Sequence, residues 1–287
     1  MDIPALQAFI AIAETGSFSN AGRRLFLTQP AISKRISMLE SELQTRLFDR
    51  IGRKVSLTHA GQALLTHARK ILTDTEDARR EIEALQGEVR GELILAVSHH
   101  VGLHRLPPVL RRYASTYPDA ELGIQFMDSE HACHAVESGN AEMALVTLPL
   151  TNTGGLQSIP VWEDRLAITI SSEQPEITSR SDILKYLRNT TAILPPPGTF
   201  THTLIMQSLE RANILPEKML ISNYMETIRM MIGVGLGWGL LPQTMLDSTV
   251  KELYVREIDI TRTLGAVVHP GRYRSQPARA MLDLLPG

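Results

Sequence analysis

The stretch from Ser17 to Glu42, SFSNAGRRLFLTQPAISKRISMLESE, decides the fold of the first part of the chain. It predicts two short helices joined by a tight connection. Ser19 is predicted to cap the amino end of the first helix, which would end near Phe26. Thr28 is a better cap for the second helix, because Pro30 then falls in the first turn, where a missing N–H costs nothing.

The second helix of this pair has two chemically different faces. Apolar side chains recur at helical spacing and predict one buried stripe, made by Ile32, Ile36, Leu39 and Leu43. The opposite face carries hydrogen-bonding or cationic side chains and no acid, namely Gln29, Ser33, Lys34 and Ser37, with Arg35 at its flank. Such groups suit the base edges and phosphates of a DNA major groove. The alternative is an ordinary amphipathic helix pair whose polar face is simply solvated.

The segment from Asp49 to Thr58 favours DNA binding over that alternative. It reads DRIGRKVSLT and predicts a short hairpin that turns near Gly52, with basic side chains at its tip. A basic wing beside a recognition helix suits contacts with backbone phosphates. The predicted DNA contacts are therefore Gln29, Pro30, Ser33, Lys34, Arg35, Ser37, Arg50, Arg53 and Lys54.

Residues 1 to about 65 resemble the winged helix-turn-helix of LysR-type transcriptional regulators. The matching pieces are FIAIAETGSFSNAGRRLFLTQPAISKRISMLESELQTRLFDR and the later LTHAGQALL. The resemblance covers essentially the whole chain. It implies a bacterial regulator that binds double-stranded promoter DNA, senses a small-molecule effector, forms dimers and homotetramers, and works with RNA polymerase. The implied fold class is α/β, with a winged helix-turn-helix, a long linker helix for dimerisation, and a two-lobed effector domain like that of periplasmic binding proteins.

Charge is unevenly distributed along the 287 residues. Residues 1–70 carry ten basic and five acidic side chains, a net charge of +5, whereas the whole chain carries −2. The remainder therefore carries −7. A basic head on an acidic body is the pattern expected of a DNA-binding module joined to another domain.

Several classes of protein are not supported by the sequence. We expect a cytoplasmic protein without a membrane partner, because no leader and no bilayer-spanning apolar stretch is visible. The single cysteine, Cys133, allows neither an internal disulfide nor a thiolate zinc cluster, and we expect it to be a buried small hydrophobe. No GxGxxG or phosphate-loop pattern follows the first strand of the body, so we expect no nucleotide or other cofactor.

Thr58 is predicted to cap a long helix from about His59 to Leu85. Mostly apolar residues recur along it, separated alternately by four and three positions, which is the spacing of a heptad seam. The members of the seam are Leu64, Ala68, Ile71, Thr75, Ala78, Ile82 and Leu85. A single winged helix-turn-helix contacts one half-site, whereas useful affinity and specificity need two. We therefore favour a dimerisation helix over a stripe that packs on the body of its own chain.

After a predicted hinge at residues 86–91, strands alternate with helices, which argues for parallel sheets covered on both faces. The predicted domains are a DNA-binding domain at 1–58, a linker helix and hinge at 59–90, and an effector-binding domain at 91–287. Within the last, lobe I takes about 91–160 and 266–287, and lobe II about 161–265.

An effector site is expected beyond the carboxyl ends of the strands of this sheet. Hydroxyls and the N–H groups at helix amino ends suit a small anion, particularly a carboxylate, and Glu226 could accept from an amine or hydroxyl. We expect a small organic acid or amino acid between the lobes. The predicted contacts, which the family resemblance places in the same segments, are Ser98, His99, His100, Ser129, Thr147, Gly198, Thr199, Phe200, Thr201 and Glu226.

Each of these residues also has a structural explanation. Ser129 and Thr199 could be only helix caps. His99 and His100 point to opposite sides if they lie in a strand, so at least one of them is structural. His100 and His104 have the spacing of a metal-binding pair on a helix, but no further ligand is evident in the sequence, so no metal site is expected.

The competing function is an enzyme built on the α/β body. The sequence shows no nucleophile elbow, metal-ligand cluster or catalytic carboxylate pair, so we expect no enzyme. A transport-type solute binder is contradicted by the missing export signal and by the DNA-binding head. The sequence predicts instead a ligand-responsive transcriptional regulator, in which closure of the lobes changes how dimers pack and so alters promoter binding or bending.

Overall fold

The computed structural model describes residues 1–51, 54–84, 88–151 and 155–286, without the side chains of residues 50, 51, 54, 83 and 84. Its contacts divide the chain into two compact units. The first comprises Met1–Gly87 with Arg272–Ser275, and the second comprises Glu88–Gly271 with Gln276–Gly287. Each unit has a hydrophobic core of its own.

The first unit contains four helices and a two-stranded hairpin among its described residues. The elements are α1 (Ile3–Thr15), α2 (Phe18–Arg24), α3 (Gln29–Glu42), β1 (Phe48–Ile51), β2 (Lys54–Leu57) and α4 (His59–Ala84). β1 and β2 pair antiparallel, from Phe48 opposite Leu57 to Ile51 opposite Lys54, which confirms the predicted hairpin. Its predicted turn, Gly52 and Arg53, lies outside the described residues.

The boundaries of α2 differ from the prediction. Ser17 caps this helix, since its Oγ accepts a hydrogen bond from the backbone N–H of Asn20 at 3.4 Å. The prediction of Ser19 as the cap is therefore wrong. The helix ends at Arg24 instead of continuing to Phe26, because Phe26 adopts a φ of 54°, far from helical values.

The connection between α2 and α3 is tight, as predicted. Thr28 caps α3, because its Oγ1 accepts from the N–H of Ala31, and Pro30 lies in the first turn. A Cβ at Gly22 would lie 2.7 Å from the carbonyl oxygen of Leu27. Glycine therefore allows the two helices to approach closely at this position.

The apolar stripe of α3 is buried except at its last member. Ile32, Ile36 and Leu39 are at most 1% exposed and share a core cluster with Phe9 of α1. Leu43 is 38% exposed, so the prediction that it is buried is wrong. It forms the carboxyl-terminal cap, where the helix ends and the stripe stops facing the core.

The long helix α4 begins as predicted, since Thr58 Oγ1 accepts from the N–H of Gly61 at 3.0 Å. The amino-terminal half of its seam packs on the core of its own unit, where Ala68 is fully buried. Ile82, near the other end, is 67% exposed. Only the second half of the seam is therefore left at the surface of the described chain. Outside the described residues lie the predicted end of the seam and the start of the predicted hinge, Leu85, Gln86 and Gly87.

In the second unit, strands and helices alternate along most of the chain. The elements are β3 (Gly91–Ser98), α5 (His99–His104), α6 (Pro107–Thr116), β4 (Ala120–Met127), α7 (Ser129–Ser138), β5 (Met143–Thr147), β6 (Gln157–Ser171), α8 (Arg180–Asn189), β7 (Ala192–Leu194), α9 (Phe200–Arg211), β8 (Met219–Ile221), α10 (Met225–Gly233), β9 (Trp238–Pro242), β10 (Val250–Glu252), β11 (Ile260–Val268) and α11 (Gln276–Leu284).

Within the described ranges, nine strands form one mixed sheet in the order β4-β3-β5-β11-β6-β9-β7-β8, with β10 paired to β6. β3 runs parallel to β4 and β5, and β7 runs parallel to β8 and β9. β6 and β11 run antiparallel to each other and to their other neighbours. The prediction of parallel sheets is therefore wrong at the centre, where the chain passes between the two parallel groups through long extended strands.

Each parallel group has its own helices and core. The first lobe consists of β3, β4 and β5 with α5, α6, α7 and α11, and buries residues such as Leu95 and Tyr113. The second lobe consists of β7, β8 and β9 with α8, α9 and α10, and buries residues such as Leu194 and Trp238. Among the described helices, none combines the length and the apolar composition needed to cross a bilayer.

Candidate functional site

The predicted groove-reading face of α3 lies at the surface of the first unit. Gln29, Lys34 and Ser37 are exposed, and Ser33 and Arg35 are half-buried. The amide of Gln29 donates to Ser33 Oγ at 2.9 Å, so these two side chains lie side by side at the start of the helix. The apolar stripe holds the other side of α3 in the core, so the polar face is presented to the solvent.

The structure describes only some of the atoms of the remaining predicted DNA contacts. Pro30 is exposed in the first turn of α3. The backbones of Arg50 and Lys54 lie in the paired strands β1 and β2. Their side chains, and all of Arg53, lie outside the described residues, so the phosphate contacts of the wing stay predictions.

A cleft of about 550 Å³, partly open to solvent, lies at the carboxyl ends of β3, β5 and β7. This is the position expected for a ligand in an open α/β sheet. Of the predicted effector contacts, those lining the cleft are Ser98, His99, His100, Ser129, Thr147, Thr199 and Thr201. The cleft is also lined by residues that were not predicted as effector contacts, including Glu130, Asn223, Tyr224 and Arg262.

Three predicted effector residues lie beside the cleft and do not line it. Gly198 lies in the turn before α9, with a φ of 91°. Phe200 is the first residue of α9, and its ring packs against an apolar cluster of the first lobe. The carboxylate of Glu226 is turned to His104, whose Nε2 lies 2.8 Å from Oε1.

The two hydroxyl residues with possible cap roles behave differently. Thr199 caps α9, because its Oγ1 accepts from the N–H of His202 at 3.2 Å, and it also lines the cleft. Ser129 is the first residue of α7, after Asp128 at the cap position, so the prediction of Ser129 as a cap is wrong. Its Oγ instead accepts from the N–H of Thr147 at 3.2 Å, which joins α7 to the end of β5.

The paired histidines lie in a helix, so the strand geometry considered for them does not apply. β3 ends at Ser98, and α5 begins at His99. A Cβ at Gly102 would lie 2.3 Å from the ring of Phe126, so glycine lets this short helix lie against β4. The His99 ring stacks on Phe126 at 5.7 Å between centroids and meets Tyr224 edge-on at 4.6 Å.

A buried charge cluster that was not predicted from the sequence adjoins the cleft. Asp164 is 1% exposed, and its carboxylate accepts from Arg262 Nε at 2.8 Å and from Arg105 Nη2 at 3.2 Å. His100 Nε2 lies 3.3 Å from Asp164 Oδ2. Arg262 also donates through Nη1 to Thr201 Oγ1 at 2.9 Å. The cluster itself carries two guanidinium groups against one carboxylate, and the carboxylates of Asp128 and Glu130 also line the cleft.

The charge cluster fixes the ionisation of its members. Burial alone would raise the pKa of the Asp164 carboxyl, but the adjacent His100 and Arg262 outweigh it and hold the pKa well below its usual range. Burial lowers the pKa of His100, and the charge of Arg262 lowers it further against the opposing effect of Asp164. Asp164 is therefore ionised and His100 neutral at neutral pH.

Side chains also join the two lobes across the cleft. The Glu130 carboxylate of α7 accepts from the backbone N–H of Phe200 at 2.5 Å, so it occupies the amino end of α9. His104 of α5 and Glu226 of α10 form the second such link. Burial would raise the pKa of Glu226, but its hydrogen bond with His104 lowers it overall, so this link is charge-assisted.

Two family profiles match the chain. The profile described as "Bacterial regulatory helix-turn-helix protein, lysR family" matches residues 3–62, and that described as "LysR substrate binding domain" matches residues 86–286. The chain belongs to the LysR family of bacterial transcriptional regulators. The resemblance found in the helix pair and wing is therefore confirmed, and the architecture is a DNA-binding head followed by an effector-binding domain.

Full-length similarity to known proteins agrees with this assignment. A "Probable RuBisCO transcriptional regulator" of Trichormus variabilis is 31% identical, over 98% of this chain and 87% of its own. A full-length OxyR variant from Pseudomonas aeruginosa is similar in structure, with a TM-score of 0.73 at 19% identity, over 99% of this chain and 94% of that chain. CbnR, solved with its target DNA, has a TM-score of 0.62 at 20% identity, over 99% of both chains.

Proposed function

We propose that this LysR-family regulator reads promoter DNA with the exposed polar face of α3 and senses a small carboxylate-bearing effector in the cleft. The observation that carries the first part is the arrangement of α3, whose apolar stripe is buried while an acid-free polar face lies at the surface. The proposed groove contacts are Gln29, Ser33, Lys34 and Ser37, with Pro30 beside them. The proposed phosphate contacts are Arg35, Arg50, Arg53 and Lys54.

The chemistry of the cleft supports an organic acid or amino acid as the effector. Arg262 brings positive charge to the cleft, and hydroxyls such as that of Thr147 line it. The Oγ of Ser98 is buried and has no hydrogen-bond partner among the described residues, so a ligand oxygen would satisfy it. The amino end of α9, now occupied by Glu130, is a site for a carboxylate of the effector.

Assembly follows from the surface half of the α4 seam. We infer that Thr75, Ala78 and Ile82 pair two chains through this helix, because two heads are needed to bind two half-sites. Homotetramers and contact with RNA polymerase are further parts of the proposal, supported by the family to which the chain belongs. We propose a regulator without catalytic activity that acts in the cytoplasm, where the promoter is.

The DNA-binding part is tested by measuring the affinity of the full chain for its upstream region across a range of salt concentrations. Lys34→Ala and Arg53→Ala are each expected to weaken binding, because each removes one cationic side chain that contacts a phosphate or the groove. Each should also reduce the slope of log affinity against log salt concentration by about 1. Lys185→Ala, on the exposed surface of α8, is the control and should bind like the native chain. Unchanged binding in both test variants would contradict the assigned contacts.

The effector part is tested by thermal-shift screening of the full chain against organic acids, amino acids and aromatic acids. A true ligand should raise Tm in proportion to the logarithm of its concentration above Kd. Ser98→Ala should reduce that shift, because it removes the unpaired hydroxyl from the cleft. An unchanged Tm shift in Ser98→Ala would contradict binding of the effector in the cleft.

A further inference from the structure

Three side chains with metal-binding atoms meet where the two lobes come together. His100 and His104 lie one turn apart on α5, and Glu226 lies in the first turn of α10. The ligand atoms of the three residues all lie within 4.8 Å of one another. The histidine pair is visible in the sequence, but the third ligand is 122 positions further along the chain and is brought there only by the fold.

The distances are close to those of a coordination shell. Zinc–nitrogen bonds of about 2.0–2.1 Å place tetrahedral ligand atoms roughly 3.4 Å apart. His104 Nε2 and Glu226 Oε1 are already 2.8 Å apart. The rings of His100 and His104 are 4.9 Å apart between centroids, with an interplanar angle of 36°. Small side-chain rotations would therefore gather the three donors around one ion.

Among the described residues, the ring of His100 makes no aligned hydrogen bond. It is 6% exposed, and neither ring nitrogen has a hydrogen-bond partner among the described residues. A buried polar group left in this state costs free energy, so a partner in the functional protein is expected. The carboxylate of Asp164 lies 3.3 Å from Nε2 without hydrogen-bond alignment. A carboxylate close to one ring nitrogen is a usual support for a histidine whose other nitrogen binds a metal, because it orients the ring.

We propose that His100, His104 and Glu226 bind a divalent transition-metal ion of the zinc class. Two imidazoles and one carboxylate form a known ligand set for Zn²⁺ that leaves a fourth position open. His104 and Glu226 are about one-third exposed, so the ion can reach the site from solvent. Because the ligands come from both lobes, the ion holds the cleft closed and gives the regulator an input separate from an organic effector.

The site is tested by equilibrium dialysis of the full chain against Zn²⁺ and by the visible absorption of bound Co²⁺. One ion per chain is expected. His104→Ala and Glu226→Gln should each lower the affinity by at least about tenfold. The glutamine variant is the sharper of the two, because its amide can keep the hydrogen bond to His104 while losing the carboxylate ligand. His134→Ala removes an exposed histidine that lies beside Glu137 on α7, and it should leave binding unchanged.

Thermal unfolding gives a second readout of the bridge between the lobes. Zn²⁺ should raise Tm in the native chain and in His134→Ala, and should raise it less at the same concentration in Glu226→Gln. The absence of saturable binding, or equal affinity in all the variants, would overturn the proposal. Both measurements use the ion without DNA or organic acid, so their failure leaves the proposed DNA and effector functions untouched.

Discussion

At the scale of single residues, the buried charges beside the cleft depend on Asp164. Its carboxylate is the shared acceptor of two guanidinium groups, and burial excludes the water that could replace it. Removing one partner of a buried ion pair leaves the other charged and unpaired in a medium that solvates it poorly. Loss of the Asp164 carboxylate should therefore lower the free energy of unfolding.

We expect Asp164→Asn to lower the free energy of unfolding of the second unit by about 3–5 kcal/mol, because it leaves Arg262 buried without its counter-charge. Urea unfolding of the full chain measures this. Asp259→Asn is the matched control, since that exposed carboxylate lies 3.5 Å from Arg165, and its loss should cost about 1 kcal/mol or less. Equal losses of unfolding free energy in the two variants would show that the Asp164 carboxylate stabilises the fold no more than an exposed carboxylate does.

The lone cysteine is expected to be unreactive in the folded chain. Cys133 is 6% exposed, and burial raises the pKa of its thiol to about 11. Since the thiolate is the nucleophile, labelling with iodoacetamide at pH 8 should be slow in the native protein and should accelerate only as the pH approaches 11. The urea-unfolded chain is the control and should label rapidly at pH 8. Rapid native labelling at that pH would contradict the buried position.

The sequence shows the members of the charge cluster but not their pairing. Asp164 and Arg262 are 98 positions apart, and each is a charged residue on a stretch with many apolar neighbours. They meet because β6 and β11 pair in a register that places Arg262 opposite Asp164. That register depends on the pairing of two distant strands, so it could not be predicted from either segment alone.

Among the helices, α9 carries at its amino end one of the contacts that join the lobes. Its first N–H is held by Glu130, a carboxylate of α7, so the chain itself supplies the anion that this helix end favours. An effector carboxylate that binds there must displace Glu130. Ligand binding would thereby replace a contact between the lobes.

We expect Glu130→Gln to lower Tm slightly, because it removes a negative charge worth about 0.3–1 kcal/mol at a helix amino end. It should also increase the Tm shift caused by the organic acid found in the screen, since the competing carboxylate is gone. Glu137→Gln, on the exposed side of α7, is the control and should change neither quantity. A ligand shift that is the same in both variants would place the effector carboxylate elsewhere.

Elements with strong local signals could be predicted, and those set by tertiary contacts could not. α3 follows from Thr28, Pro30 and a helical apolar spacing, all of which act within one turn or two. α5 is not predicted from the sequence, because its six residues, HHVGLH, contain a glycine and too few turns to show a helical period. That glycine leaves room for the ring of Phe126 on β4, a contact that local sequence does not show.

In the whole molecule, DNA recognition requires two chains to act together. In the second half of the α4 seam, Thr75, Ala78 and Ile82 are exposed. A regulator with one head would bind a single half-site weakly. The long helix is therefore the element on which operator recognition depends, although it touches no base.

We expect Ile82→Asn to weaken self-association of the full chain by at least about tenfold, because it removes one apolar side chain from each of two paired helices. Analytical ultracentrifugation over a range of concentrations measures the change. Glu81→Asn, next to it on the polar side of the helix, should leave association unchanged. A native chain that is monomeric at micromolar concentration would contradict pairing through α4.

The polar face of α3 is proposed to read base sequence in duplex DNA. Selection of binding sites from a random pool of duplexes, carried out with the native chain and with Gln29→Ala, tests this proposal. We expect a site with two symmetric half-sites for the native chain, and relaxed preference at one base pair of each half-site for the variant, worth about 1–3 kcal/mol. The same sequence preference in both proteins, or no preference in either, would contradict it.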